Sequence, residues 1–185
     1  KCDQLIHDVF TQRQAFVELV RSCEGVARDL LQIFAIAYFE CFLASTPEGR
    51  DRIDVPSIRK AAREWYQKDK YASIQSAPKL VSLLKDVVAC AIGQRKSRAF
   101  MVRQEISRHP LLQQLFDGRL IHLLRRGWSH RDIPGERYDI FTIDYGVYVD
   151  LISTRNHPGL FLTPDLAANC DPGEVVVPFE DKRSI

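Results

Sequence analysis

The chain has 185 residues, 45% hydrophobic and 27% charged, which is the composition of a folded protein with room for one large domain or two small ones, and not that of a disordered one. No apolar run approaches the roughly 18–20 residues that cross a bilayer, and Lys1-Cys2-Asp3 leads into an amphipathic segment instead of the apolar stretch of a signal peptide, so a cytoplasmic protein without membrane contact is expected. The net charge of +2 conceals an asymmetry: residues 1–78 carry 11 Lys/Arg against 11 Asp/Glu, residues 79–138 carry 12 against 5, and residues 139–185 carry 3 against 8. A basic block of that size points to polyanionic partners.

In chain order, Leu5, Ile6, Val9 and Phe10 give a short amphipathic turn of helix. Thr11 is placed to cap a second helix that runs to about Cys23 with Phe16, Val17, Leu19 and Val20 inward, and Gly25 stands where a helix C-terminus favours glycine. A long helix follows over about 27–44; Gln32 and Glu40 interrupt its apolar run, which reads as buried, with Leu30, Leu31, Phe34, Ala37, Tyr38, Cys41 and Phe42 as the core face. After a Pro47-Glu48-Gly49 turn, Asp54 caps a fourth helix with Pro56 in its first turn and Ile58, Ala61, Ala62, Trp65 and Tyr66 at helical spacing. Four helices with short loops make a small bundle, expected over residues 1–72.

The polar stretch 71–78 is the expected boundary. Beyond it, Leu80 to Ile92 reads as an amphipathic helix ended by Gly93, Arg98 to Arg103 as a strand or a helix continuation, and Pro110 to Asp117 as a helix closed by Gly118. Leu120 to Trp128 and Arg137 to Tyr145 have strand length, and the polar loop Ser129 to Glu136 with its Pro134-Gly135 turn joins them into a hairpin. Gly146 to Ile152 turns back into helix. The predicted architecture is mainly α, a four-helix bundle followed by a winged-helix-like domain over 78–155 with one β-hairpin, then an irregular acidic tail over 156–185. The chain opens without an initiator Met and stops in what reads as a new element, so it is expected to be a piece of a longer protein.

The chemistry-bearing motifs are few. His130-Arg131-Asp132 followed by Asp144-Tyr145-Gly146 imitates two protein-kinase triplets, but Arg137 occupies the position of the metal-holding Asn, and no glycine-rich phosphate loop precedes it. The five cysteines are widely spaced with no C-x-x-C pair, which excludes metal-ligand spacing and a disulfide framework; Cys23, Cys41 and Cys90 read as small core residues. The five histidines fall on separate elements, and no complete catalytic site is expected in this chain. The basic block is the stronger signal. Arg95, Lys96 and Arg98 follow a helix end, and Arg125, Arg126, His130, Arg131 and Arg137 surround the expected wing, where guanidinium forks suit phosphate oxygens. Such a surface fits either double-stranded DNA or an acidic protein partner. Arg28 is unusual, because the first turn of a helix favours anions; its partner is a nucleotide phosphate from a neighbouring domain or an acid within the bundle.

These residues carry a family resemblance. Gly25-Val26-Ala27-Arg28-Asp29, the long helix after it, and Ile53-Asp54-Val55 opening a helix with Arg59, Ala61 and Ala62 resemble the lid of an AAA+ ATPase of the origin-recognition and replication-initiator type, bacterial relatives included. Arg119-Leu120-Ile121-His122-Leu123, Pro134-Gly135-Glu136-Arg137-Tyr138 and Asp144-Tyr145-Gly146-Val147-Tyr148-Val149-Asp150-Leu151 are similar to the winged-helix part of such proteins, so the likeness spans roughly residues 1–155. It implies an upstream ATPase domain holding ATP and Mg, Arg28 as the lid arginine that senses nucleotide, and a winged helix on duplex DNA. Ala27 departs from the family's usual proline. The alternative is a protein-interaction module of a signalling or defence ATPase whose winged helix does not touch DNA. Self-association also fits either reading.

Overall fold

The computed structural model describes residues 2–43, 52–95, 97–129, 135–153 and 177–178. Its elements are α1 (Cys2–Val9), α2 (Arg13–Ser22), α3 (Ala27–Leu43), α4 (Val55–Trp65), a π-helical turn (Tyr66–Tyr71), α5 (Ala72–Ile74) and α6 (Pro78–Val88). A second π-helical turn (Ala89–Gln94), β1 (Ala99–Arg103), a 3-10 turn (Ile106–Arg108), α7 (Pro110–Asp117), β2 (Ile121–Trp128), β3 (Tyr138–Ile143), α8 (Tyr145–Ser153) and β4 (Val177–Pro178) complete them. The protein is mainly helical with a small antiparallel sheet. It divides into two compact units, Lys1–Asp69 with Tyr145–Ser153, and Lys70–Asp144 with Thr154–Ile185.

The first unit is the helical bundle. Its α4 starts as the sequence requires: Asp54 Oδ1 accepts from the Ser57 backbone N–H at 2.9 Å and from Ser57 Oγ at 2.6 Å, and a proline sits in the first turn. A cap of this kind contributes about 1 kcal/mol. Ile58, Ala61 and Ala62 then fall on one buried face against α3. At the end of α2, Glu24 and Gly25 both take positive φ (48° and 79°), the left-handed pair that turns the chain into α3. Thr11 does not cap α2. Gln12 holds that position without a side-chain bond, while the Thr11 N–H donates to the Ile53 carbonyl at 3.0 Å and its hydroxyl lies 3.4 Å from the same oxygen.

The long helix differs from expectation in which stripe it buries. Ile33, Ala37 and Cys41 are enclosed, whereas Leu31 is 64% exposed and Phe39 61%. A helix that is apolar nearly all round has no preferred face, so periodicity cannot choose its inner stripe; the position of α4 does. The C-terminal boundary also differs. Sequence order puts Tyr145–Ser153 in the winged-helix-like domain, yet it packs on α4 and α2 of the bundle, with Tyr145, Val147, Tyr148 and Val149 buried.

In the second unit, α6 buries Leu80, Leu83, Leu84 and Val87 and passes into the π-helical turn with Ala91 and Ile92 enclosed, in place of a glycine stop at Gly93. The segment 99–103 is a strand. The sheet order is β2-β3-β1-β4, the first three strands antiparallel and β4 adding two residues in parallel to β1. The central strand β3 is buried along its whole length. Phe141 stacks on Phe100 at 5.9 Å and meets Phe116 of α7 edge-on at 6.4 Å, while Tyr138, Ile140 and Met101 cluster with Trp128.

Candidate nucleic-acid interface

The hairpin β2–β3 is irregular, and the irregularity sets its surface. Leu123 faces Phe141, Arg125 faces Ile140 and Trp128 faces Tyr138, so β2 carries two extra residues over that span. Gly127 (φ 63°) supplies the left-handed residue of the second bulge, and its N–H donates to Asp139 Oδ1 at 3.0 Å. Asp139 is buried and is held from the other side by Ser107 Oγ at 2.8 Å. A regular strand alternates in and out; bulged in this way, β2 instead turns Leu124, Arg125 and Arg126 outward in succession.

Arg125, Arg126 and Arg137 are all exposed, and among the described residues no carboxylate lies within ion-pairing distance of them. Glu136, the described acid nearest in sequence to Arg137, is engaged elsewhere: Oε1 is 3.1 Å from Arg103 Nη2, and Oε2 accepts from the Tyr138 hydroxyl. His130, Arg131 and Asp132 lie outside the described residues, as does Lys96. Arg95 is exposed at the end of the second π-helical turn. Arg98 is half-buried and ties β1 to β3, its Nη1 donating to the Ile143 carbonyl at 3.1 Å. Trp128 packs the hairpin against Tyr138, with ring centroids 6.4 Å apart. At the foot of the hairpin, Arg103, Gln104, Glu105, Gly135, Glu136 and Arg137 line an open polar cleft of about 240 Å³.

Arg28 stands in the bundle unit at the start of α3. Its Nη2 is 3.3 Å from Asp69 Oδ1, and its guanidinium lies 5.5 Å from the centre of the Trp65 ring. The side chain is 62% exposed. Its neighbour Asp29 is buried and accepts from Trp65 Nε1 at 3.1 Å, in the helix turn where an anion is favoured.

Two buried polar clusters escape sequence reasoning. In the second unit, Lys70 Nζ lies 2.5 Å and His122 Nε2 2.9 Å from the same Asp144 oxygen, with Lys70 and Asp144 both enclosed. Burial opposes ionisation of Asp144, but hydrogen bonding from His122 and the charge of Lys70 outweigh it, and the carboxyl is held below its ordinary range. In the bundle, buried Glu18 accepts from Arg59 Nε at 2.6 Å and from the Tyr145 hydroxyl. Burial and the Glu18 carboxylate push the Tyr145 phenol far up. For Arg59, burial lowers the affinity for its proton, and the bonds and charges of Glu18 and Tyr145 more than restore it. The kinase-like triplet Asp144-Tyr145-Gly146 and the resemblance motifs that hold Arg59 and His122 touch these clusters in sequence, but none of them brings the buried partners together.

Among the described residues no group of three or more His, Cys, Asp or Glu could hold a metal ion, and no helix is long and apolar enough to cross a membrane. Cys23 and Cys41 are buried free thiols and Cys90 is half-buried. No family model matches the chain, and neither a curated protein nor a solved structure does.

Proposed function

We propose that the second unit is a winged-helix-like module that binds the backbone of double-stranded DNA through its hairpin. The observation that carries this reading is the set of outward arginines, Arg125, Arg126 and Arg137, with no described carboxylate beside them. The element order α6, β1, α7, β2, β3 with β1 and β2 flanking β3 supports the winged-helix comparison. Phosphate contacts of this kind position a protein on the duplex without reading sequence, and they release counterions. Arg131 and His130 of the same loop, and Arg95 and Lys96 at the preceding turn, extend the basic surface in sequence. Arg98 contributes mainly to holding the sheet.

The bundle is proposed to be the lid of an AAA+ ATPase whose ATP- and Mg-binding domain lies upstream, making this chain a non-catalytic C-terminal part. Arg28 is the nucleotide-sensing residue in that reading; its exposure leaves it within reach of a phosphate, and Asp69 is the partner that a phosphate would displace. A second reading, a protein-interaction module, draws on the exposed Leu31, Tyr38 and Phe39 of α3.

The test is fluorescence anisotropy of a labelled duplex titrated with this chain at low and near-physiological salt, repeated with Arg125, Arg126 and Arg131 changed to Ala. Salt-sensitive binding that the triple change abolishes is the expected result. A folded chain that leaves the duplex free at low salt overturns the DNA reading and favours the protein-interaction module.

A further inference from the structure

We infer that Asp139 is a positioning residue for the duplex-binding hairpin: from inside the sheet it holds the bulge that keeps Arg125 and Arg126 both facing outward. The inference rests on the duplex-binding reading for the use of those arginines. Because Arg125 faces Ile140 and Trp128 faces Tyr138, two residues of β2, Arg126 and Gly127, stand opposite the single residue Asp139. A bulge of that kind leaves a backbone group without its partner in the ladder. Here the Gly127 N–H, on a backbone in the left-handed region at φ 63°, donates at 3.0 Å to Asp139 Oδ1, so a side chain supplies the acceptor that the ladder does not. A regular strand would send the neighbours Arg125 and Arg126 to opposite faces.

Asp139 can hold the bulge because it is itself fixed. It is buried in β3, and its second oxygen accepts from Ser107 Oγ of the 3-10 turn at 2.8 Å. The Ser107 carbonyl in turn accepts from Gln113 Nε2 of α7 at 2.5 Å. A continuous run of hydrogen bonds thus ties the bulge through β3 to the helix behind it. Arg137 comes to the same place: its Nη1 lies 3.8 Å from the position that a Cβ would take at Gly127, an ordinary contact. Arg125, Arg126 and Arg137, all exposed, therefore adjoin one bulge, and Asp139 is the buried group that shapes it.

The experiment compares Asp139→Asn with Asp139→Leu in duplex binding over a range of salt. Asn and Leu are close to Asp in size and neither is acidic, so the comparison is made at equal charge. Asn keeps both bonds: its Oδ1 still accepts from Gly127, and its Nδ2 donates to Ser107 Oγ, whose own hydrogen serves the Gln104 carbonyl 2.9 Å away. Leu keeps neither. Asp139→Leu is expected to bind roughly fivefold to tenfold more weakly than Asp139→Asn at about 0.1 M salt, with a salt slope smaller by about 1, the mark of one lost phosphate contact. In a background of Arg125→Ala with Arg126→Ala that difference should vanish. Thermal unfolding of each variant establishes that it folds. Should Asp139→Leu not fold, Gly127→Asn against Gly127→Val takes its place: Asn tolerates positive φ and a β-branched residue does not, so Gly127→Val should bind more weakly. Equal affinity and equal slope within the pair, or a difference that survives the loss of both arginines, overturns the positioning role while leaving hairpin binding intact. If the native chain does not bind duplex at low salt, the DNA reading falls by itself. Hydrogen exchange at the Gly127 amide then decides the role of Asp139: faster exchange in Asp139→Leu alone keeps it as the residue that shapes the hairpin, and equal exchange in all three chains removes it.

Discussion

The two units treat their charges in opposite ways. In the bundle, Glu18 takes Arg59, Asp150 takes Arg63 at 2.8 Å, Glu40 takes Lys60 at 2.8 Å and Asp69 takes Arg28 at 3.3 Å, so these four cations are answered from within the unit. In the second unit the enclosed cation Lys70 is paired with Asp144, while the hairpin arginines are turned out with no described acid beside them. The surplus of 12 Lys/Arg over 5 Asp/Glu in residues 79–138 includes the exposed hairpin arginines. Those four bundle cations are committed to acids of their own unit, whereas Arg125, Arg126 and Arg137 are exposed without one among the described residues.

The most buried ion pair is the one whose loss costs the most. Asp144→Ala leaves Lys70 enclosed without its carboxylate and is expected to destabilise the second unit by about 3–5 kcal/mol. The two tryptophans separate the units, Trp65 reporting the bundle and Trp128 the hairpin, so denaturant unfolding of Trp65→Phe and Trp128→Phe backgrounds assigns the loss. Because Asp144 titrates lower in the fold than its ordinary value of 3.8, its contribution is fully present above that value. It is lost as pH falls through the depressed folded value, so acid unfolding should register first at Trp128 and lose that lead in Asp144→Asn.

Glu18→Ala is the corresponding break in the bundle. Arg59 is 37% exposed and can be rehydrated, so the expected loss is smaller, about 2–3 kcal/mol, read at Trp65. Here the pH dependence has the opposite sign. Tyr145 titrates higher in the fold than its ordinary value of 10.0, so its contribution is present below pH 10.0 and lost as pH rises towards the raised folded value. The bundle should therefore weaken on the alkaline side, with phenolate absorbance appearing together with unfolding, and Tyr145→Phe should uncouple the two.

Asp54→Ala removes a helix cap, for about 1 kcal/mol, measurable by thermal unfolding. The smallest expected change in stability belongs to Arg125→Ala with Arg126→Ala. These exposed side chains should alter unfolding by no more than about 0.5 kcal/mol, while the dependence of duplex affinity on salt falls by a slope of roughly 1 for each phosphate that is no longer neutralised. A stability loss well beyond that would mean that the hairpin arginines serve the fold as the bundle's do.

Local rules are legible in the sequence wherever the controlling partner is near in the chain. The Asp54 cap, the left-handed Glu24-Gly25 turn and the helices at Leu80 and Pro110 depend on neighbours a few residues away. Strand 138–143 can be found from its composition, although six consecutive buried residues erase the alternation that would tell one face from the other. Glu18 lies between the apolar Val17 and Leu19 with nothing nearby in sequence to mark it as enclosed; it is buried because Arg59, 41 positions away, is brought against it. Lys70 adjoins the polar boundary stretch, where a lysine is ordinarily solvated, and yet it is among the most enclosed side chains, because Asp144, 74 positions on, receives it.

Short windows of the chain carry most of the helices, the β-hairpin, the mainly helical class and the place of the basic block, since propensity, capping and charge are local properties, but they leave 98–103 open between strand and helix. It is the assembled fold that makes 99–103 a strand beside β3, buries Ile33 of α3 instead of Leu31, joins Tyr145–Ser153 to the bundle, and turns Glu136 to Arg103. Each of those choices is made by surfaces that meet only after the chain has folded, and by the desolvation of charged groups whose partners lie far along it.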